Sequence, residues 1–204
     1  MTRAGFYLAR MLRDDDALQR LSVAQSVLLA PLAGKSVALI GNARALAQQT
    51  HGAQIDAHDV VIRINRAPMP QPRSHGTRTD WLALATRLSA EDRARITPGR
   101  CLWMSHKRKR LDWTTATSDG FYLHPHPDYA QLKTRIGAQP TTGAIMIDLL
   151  ARSALSKLSL FGFDFFASLS LSGRRTADRV PHDFDAEAVF VTGLIGADPR
   201  ICRV

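Results

Sequence analysis

Short, nearly uninterrupted apolar runs alternate with stretches of helical periodicity along most of this chain. That alternation restricts the fold more than any other feature. The runs are Val37–Ile40, Val60–Ile64, Trp81–Ala85, Leu102–Met104, Phe121–Leu123 and Leu158–Phe161. Helical patterns lie between several of them, over Ala43–Gln49, Ala90–Ile96, Tyr129–Ile136 and Gly143–Leu155. A strand that is apolar on both faces, as in "VALI" and "VVIRI", has to be covered on both sides, and the helical crossovers of a parallel sheet supply that cover. The expectation is an α/β fold, a single Rossmann-like domain with a mostly parallel central sheet flanked by helices. At 204 residues the chain is long enough for one such domain and short of two. Residues 1–34 read as an N-terminal helical segment and 35–204 as the main domain. Loops rich in Pro, Arg, Ser and Gly gather at 66–78, 105–120 and 166–181. In such sheets ligands bind beyond the carboxyl ends of the strands, so the candidate residues are sought there.

Composition narrows the class of partner. The net charge is +9 and the pI near 10.4, which favours an anionic ligand or surface. Nucleic acid is not expected, because no nucleic-acid-binding motif or aromatic stacking pattern accompanies the charge. Cys101 and Cys202 are the only cysteines and form no Cys-x-x-Cys pair, which argues against zinc and fits a reducing compartment. The most apolar early stretch, residues 21–33, is interrupted by Gln25 and Pro31 and falls short of the roughly 20 residues a membrane span needs. The expected location is cytoplasmic, with peripheral contact at the inner membrane as an option. For the helix carrying Phe6, Tyr7, Leu8, Met11 and Leu12 beside Arg3, Arg10 and Arg13, packing on the domain is favoured over lying on a membrane surface.

Three strand or loop ends carry chemistry. The first run ends in Gly41-Asn42, and Ala43 and Leu46 stand where a dinucleotide fingerprint requires glycines. Gly41 allows a tight turn and close approach of a ligand. Asn42 suits either a helix N-cap or an anion contact at a helix start. The second run ends in Asn65-Arg66-Ala67-Pro68 and, if it lies parallel beside the first, sets Asn65 on the same crevice as Asn42. "QPTTGAIMIDLLARS" opens a helix in which Thr141 or Thr142 can cap, and its hydroxyls and free N–H groups make an anion pocket with Gly143. His182 follows a polar loop and is a candidate general base. Asp183, Asp185 and Glu187 would favour its protonated form if close. The Asp183-Phe184-Asp185 triple is read as acids in the first turn of a helix in preference to a metal site.

The order of these segments resembles the animal-type sialyltransferases of glycosyltransferase family 29. "SVALIGNARALAQQTHGAQIDAHDVVIRINRAPMPQPRSHGTRTD" is similar to that family's large sialylmotif. "PTTGAIMIDLLARSALSKLSLFGFD" is similar to the small sialylmotif. "HDFDAE", a histidine with a glutamate five positions on, is similar to the very small motif. The resemblance runs over about residues 35–200 and is identified with a short, bacterial member. It departs from the animal pattern in three ways. The places of the animal disulfide fall near Val37 and Leu155, the anchor and stem are not present, and the His-aromatic-aromatic-acid cluster is not found in Phe163–Val180.

The resemblance implies a GT-A-like variant fold over 35–204 and a glycosyltransferase that moves sialic acid from CMP-sialic acid to a glycan or glycolipid hydroxyl. Gly41, Asn42, Asn65 and Arg66 would meet the nucleotide and phosphate. Thr141, Thr142 and Gly143 would meet the cytidine phosphate or the sugar carboxylate. His182, with Glu187, would supply the base for a single displacement with inversion. No metal or other cofactor is implied, since the leaving group is one phosphate monoester. Transfer of another CMP-activated sugar such as Kdo, or CMP binding without transfer, are the alternatives.

Overall fold

The computed structural model describes residues 1–164 and 182–204. Its centre is a sheet of seven strands: β1 (Ser36–Ile40), β2 (Val60–Ile64), β3 (Trp81–Leu84), β4 (Arg100–Trp103), β5 (Tyr122–Leu123), β6 (Lys157–Phe161) and β7 (Ile201–Arg203). They lie in the order β5-β4-β3-β2-β1-β6-β7, and all six pairings are parallel. The order reverses beside β1, from which the chain runs outward to β5 and then returns to β6. All six expected strands are present within one or two residues. The seventh, β7, was not expected. It has three residues at a sheet edge, too few to show a period.

Successive side chains of the strands enter opposite faces. Val37 and Leu39 join one core while Ala38 and Ile40 join another; Trp81 and Ala83 separate in the same way from Leu82 and Leu84. Helices His126–Ile136, Thr142–Ala151 and Phe184–Ala197 cover one face. On the other, the N-terminal segment lays Phe6, Ala9 and Leu18 against Leu82, Leu84 and Trp103. Residues 1–34 thus share the sheet's own core. They are also tied to β5, where the Val23 N–H donates to Phe121 O (2.8 Å) and the Leu123 N–H to Ser22 Oγ (2.8 Å).

Two helical expectations change on inspection. Ala43–Gln49 is a 3-10 segment, Arg44–Gln48, with Leu46 its one buried residue. Its N-cap is Ala43, so Asn42 does not cap it. The helix expected to reach Leu155 stops at Ala151. There the Ser153 hydroxyl donates to Leu150 O (2.7 Å) and satisfies a last-turn carbonyl. Of the loops expected to hold the site, 166–181 lies outside the described residues, as does all but the start of Phe163–Val180. Cys101 and Cys202 are both free thiols.

Candidate active site

Parallel pairing aligns Ile40 with Arg63, so continuing the register sets Asn42 beside Asn65 at the carboxyl edge. Each asparagine reaches one strand further along. Asn42 Nδ2 donates to Ile64 O at 3.4 Å, and Asn65 Oδ1 accepts the Ala85 N–H at 2.9 Å. Asn65 has φ 54° and Ala67 φ 43°, both left-handed. Asparagine tolerates that region and alanine does not, so the turn after β2 is held under strain. Arg95, which sequence reasoning missed, pins it by donating to Ala67 O (3.0 Å) and Arg66 O (2.5 Å). Arg66 itself points its side chain to solvent.

The glycines also serve the packing of the protein itself. A Cβ on Gly41 would lie 2.2 Å from Gly162 O, so Gly41 lets the ends of β1 and β6 cross. A Cβ on Gly143 would lie 2.7 Å from Phe163 Cε1, so Gly143 seats that ring. Both glycines serve protein packing at these points, and the spaces their missing side chains leave are already filled.

Thr141, and not Thr142, is the N-cap of Thr142–Ala151, accepting the Ala144 N–H at 3.2 Å. Its N–H and hydroxyl both donate to Glu187, the hydroxyl at 2.8 Å to Oε2. The groups of Thr141 are therefore committed within the protein, and Glu187 acts as a strut between two helix starts. Burial pushes the Glu187 carboxyl up to about 7, against the two Thr141 donors that lower it. Thr142 is buried and lines a cleft of about 160 Å³ beside Lys107, Arg110, Tyr129 and His182. The N–H groups of Thr142 and Gly143 belong to the first helical turn, whose donors point out of the helix end.

His182 stands at the wall of this cleft. Its Nδ1 lies 2.7 Å from Gln139 O. A carbonyl only accepts, so Nδ1 carries the proton and Nε2 is left as the lone-pair nitrogen. Burial holds the ring below the ordinary histidine value, outweighing the Gln139 bond that raises it, with Lys107 lowering it further. The expected lift from neighbouring carboxylates is thus corrected: the surroundings favour the neutral ring. Asp183 is occupied as the N-cap of Phe184–Ala197, accepting the Ala186 N–H at 2.9 Å. Among the described residues no cluster of potential metal ligands occurs. His106 lies tilted against Tyr129 with ring centres 4.6 Å apart, and Lys107 and Arg110 make the cleft lining basic. The run His106–Arg110 lies outside the motifs, and the sequence alone leaves it open between a contact for an anionic acceptor glycan, a membrane-surface contact and a solvated loop.

Much of the remaining motif sequence lies at the other edge of the sheet. Asp56 accepts the N–H groups of Thr77 and Arg78. Arg78 donates to Asp56 O and His58 O and pairs with Asp80 at 2.9 Å. Arg63, fully buried, donates to Arg78 O and His75 O. Asp56 precedes β2 and Arg78 and Asp80 precede β3, and Arg63 reaches back to this knot from within β2, away from the cleft.

A basic cleft at the carboxyl edge, a neutral histidine and helix-start donors suit transfer from an anionic donor. The family model described as glycosyltransferase family 29 (sialyltransferase) matches residues 15–118. A mammalian sialyltransferase structure superposes with a TM-score of 0.60 at 19% identity, covering 84% of this chain and 69% of that one. Another, a mammalian sialyltransferase in complex with Gal-beta-1-3GalNAc-ortho-nitrophenol, gives 0.64 at 18% identity, covering 92% and 76%. No curated protein matches the sequence. With the family model covering half of the chain and the site described above, the chain belongs to glycosyltransferase family 29 and is a glycosyltransferase.

Proposed function

We propose that this enzyme transfers sialic acid from CMP-sialic acid to a hydroxyl of a glycan or glycolipid, with inversion, without a metal, and with His182 as general base. The observation that supports this most is the Nδ1–Gln139 bond, which leaves Nε2 of a neutral ring available at the cleft. Nε2 takes the acceptor hydroxyl proton as the oxygen bonds to the anomeric carbon. The bond from that carbon to the phosphate oxygen breaks, and CMP leaves with its electron pair. The N–H groups of Thr142 and Gly143, Asn42, and the basic wall of Lys107 and Arg110 are assigned to the phosphate and the sugar carboxylate. A phosphate monoester needs less charge neutralisation than a diphosphate, which is the reason for omitting a metal. Glu187 acts through Thr141 and is a positioning residue.

Calorimetry with CMP, with and without chelator and against AMP and UMP, tests the nucleotide site. Turnover of CMP-sialic acid against CMP-Kdo then tests the sugar. Selective, chelator-resistant CMP binding with turnover of the sialic acid donor is expected. Equal binding of all three nucleotides, or preference for the Kdo donor, would overturn the corresponding part.

A further inference from the structure

The helix Arg3–Leu12 is apolar on two opposite sides. Phe6 and Ala9 face the core and are buried. At 100° per residue, Tyr7, Leu8, Met11 and Leu12 fall together on the far side. They are 41%, 51%, 73% and 66% exposed. Burying Phe6 accounts for the helix docking on the sheet. It does not account for four large apolar side chains turned to solvent on such a short helix. The hydroxyl of Thr2 caps the helix through the Gly5 N–H (3.2 Å), so the stripe is presented on a formed element.

The charged residues within the helix, Arg3 and Arg10, are both cations. Arg3 and Arg10 lie on the border between the two apolar faces, each against the Tyr7 ring. Arg10 donates to Lys109 O and so fastens the helix to the basic turn Arg108–Arg110. Lys109 and Arg110 are exposed there. Of the three aspartates that follow the helix, Asp15 is paired with Arg108 at 2.7 Å, Asp14 caps the next helix, and Asp16 is exposed in the first turn of that helix, whose N-terminal dipole it opposes. The same turn continues into the cleft, since Lys107 and Arg110 line it. The apolar stripe, the cationic border and the cleft wall therefore form one continuous surface.

We propose that this surface docks the enzyme on an anionic lipid bilayer, with Leu8, Met11 and Leu12 inserted at the interface and the exposed Arg3, Lys109 and Arg110 against acidic headgroups. An apolar stripe edged by cations matches such an interface in both of its components, and neither component alone gives stable attachment. Among the described residues no helix is long and apolar enough to cross a membrane, so the contact is peripheral. The docking stands without the transferase reading. If that reading holds, it sets the cleft wall beside lipid-borne glycans.

Co-sedimentation of the full chain with vesicles tests the proposal. Phosphatidylcholine vesicles are compared with vesicles in which phosphatidylglycerol replaces part of the phosphatidylcholine. Binding to the anionic vesicles only is expected. It should weaken at least tenfold in Met11→Ser/Leu12→Ser and, separately, in Lys109→Glu, and should fall with salt. All three substitutions are at exposed positions, and an unchanged unfolding midpoint verifies the fold. CMP binding by Met11→Ser/Leu12→Ser should equal that of the parent. Three results would overturn the proposal. One is failure to bind the anionic vesicles. Another is vesicle binding that survives loss of the apolar stripe, which would mark a nonspecific cation effect. The third is self-association through the stripe, seen by sedimentation as a dimer that the same variant abolishes, with no vesicle binding.

Discussion

The two edges of the sheet carry similar residue types and use them in opposite ways. At the amino edge, Asp56, Arg63, Arg78 and Asp80 satisfy one another and the surrounding backbone. Gly76, at φ +66°, turns there because a Cβ would stand 2.4 Å from Asp56 Oδ1. Although burial pushes Asp56 up, the Arg78 and Thr77 N–H groups prevail and hold it below the usual carboxylate range. At the carboxyl edge, Lys107 and Arg110 have no ion-pair partner among the described residues, and His182, its Nδ1 held by Gln139 O, lines the cleft with them. Charges that are paired hold the fold. Charges left open beside a neutral histidine are available to a ligand. The motif resemblance spans both edges, so membership in the motif does not by itself distinguish a ligand contact from a structural one.

The comparison is broken most directly at His182. His182→Ala should lower kcat by about 10²–10⁴-fold while leaving CMP affinity within a few-fold. In the parent, kcat/KM should fall on acidification only below the ordinary histidine value, because burial depresses the ring and the base works unprotonated. A kcat/KM profile whose acidic limb lies above pH 7 would contradict this.

Arg63→Leu should act the other way. It leaves the buried carbonyls of His75 and Arg78 without their donor, costing roughly 3 kcal/mol at 1–3 kcal/mol per group. Urea unfolding should show the loss. If Arg63→Leu instead lowered CMP affinity at unchanged stability, the division between the edges would fail.

Asn65→Ala tests a residue with a structural bond that the motif resemblance also assigns to the nucleotide. It forfeits the bond to the Ala85 N–H and places alanine at φ 54°, about 2 kcal/mol together. Asn65→Gly relieves the backbone but not the bond and should recover about half. CMP binding should weaken in both if the side chain also meets the nucleotide.

Glu187→Gln should give the smallest change. Burial raises its carboxyl to about 7, so the unfolded chain ionises first as pH rises. The parent's stability should therefore decline between about pH 4.5 and pH 7. Glutamine should flatten that slope and change kcat only a few-fold. Unfolding midpoints across that range check the sign.

The sequence by itself determined the layered fold. Runs such as "VALI" and "VVIRI" admit only burial on both faces, and the intervening helical periods supply the cover, so six strands were legible within one or two residues. It also determined which residues stand at strand ends, since turn chemistry is local. It did not determine what those residues touch. Gly41 meets Gly162, Thr141 meets Glu187, and Arg10 meets Lys109, at separations of 121, 46 and 99 positions. Pairings of that range leave no trace in local periodicity. Only the tertiary structure decided that Thr141 is a strut and Thr142 lines the cleft. It alone showed that Arg95 pins a strained turn. It alone brought the basic run His106–Arg110 between the cleft and the N-terminal helix. The physical reason is that side-chain chemistry is fixed residue by residue, whereas a site is a set of distances set by how the elements pack.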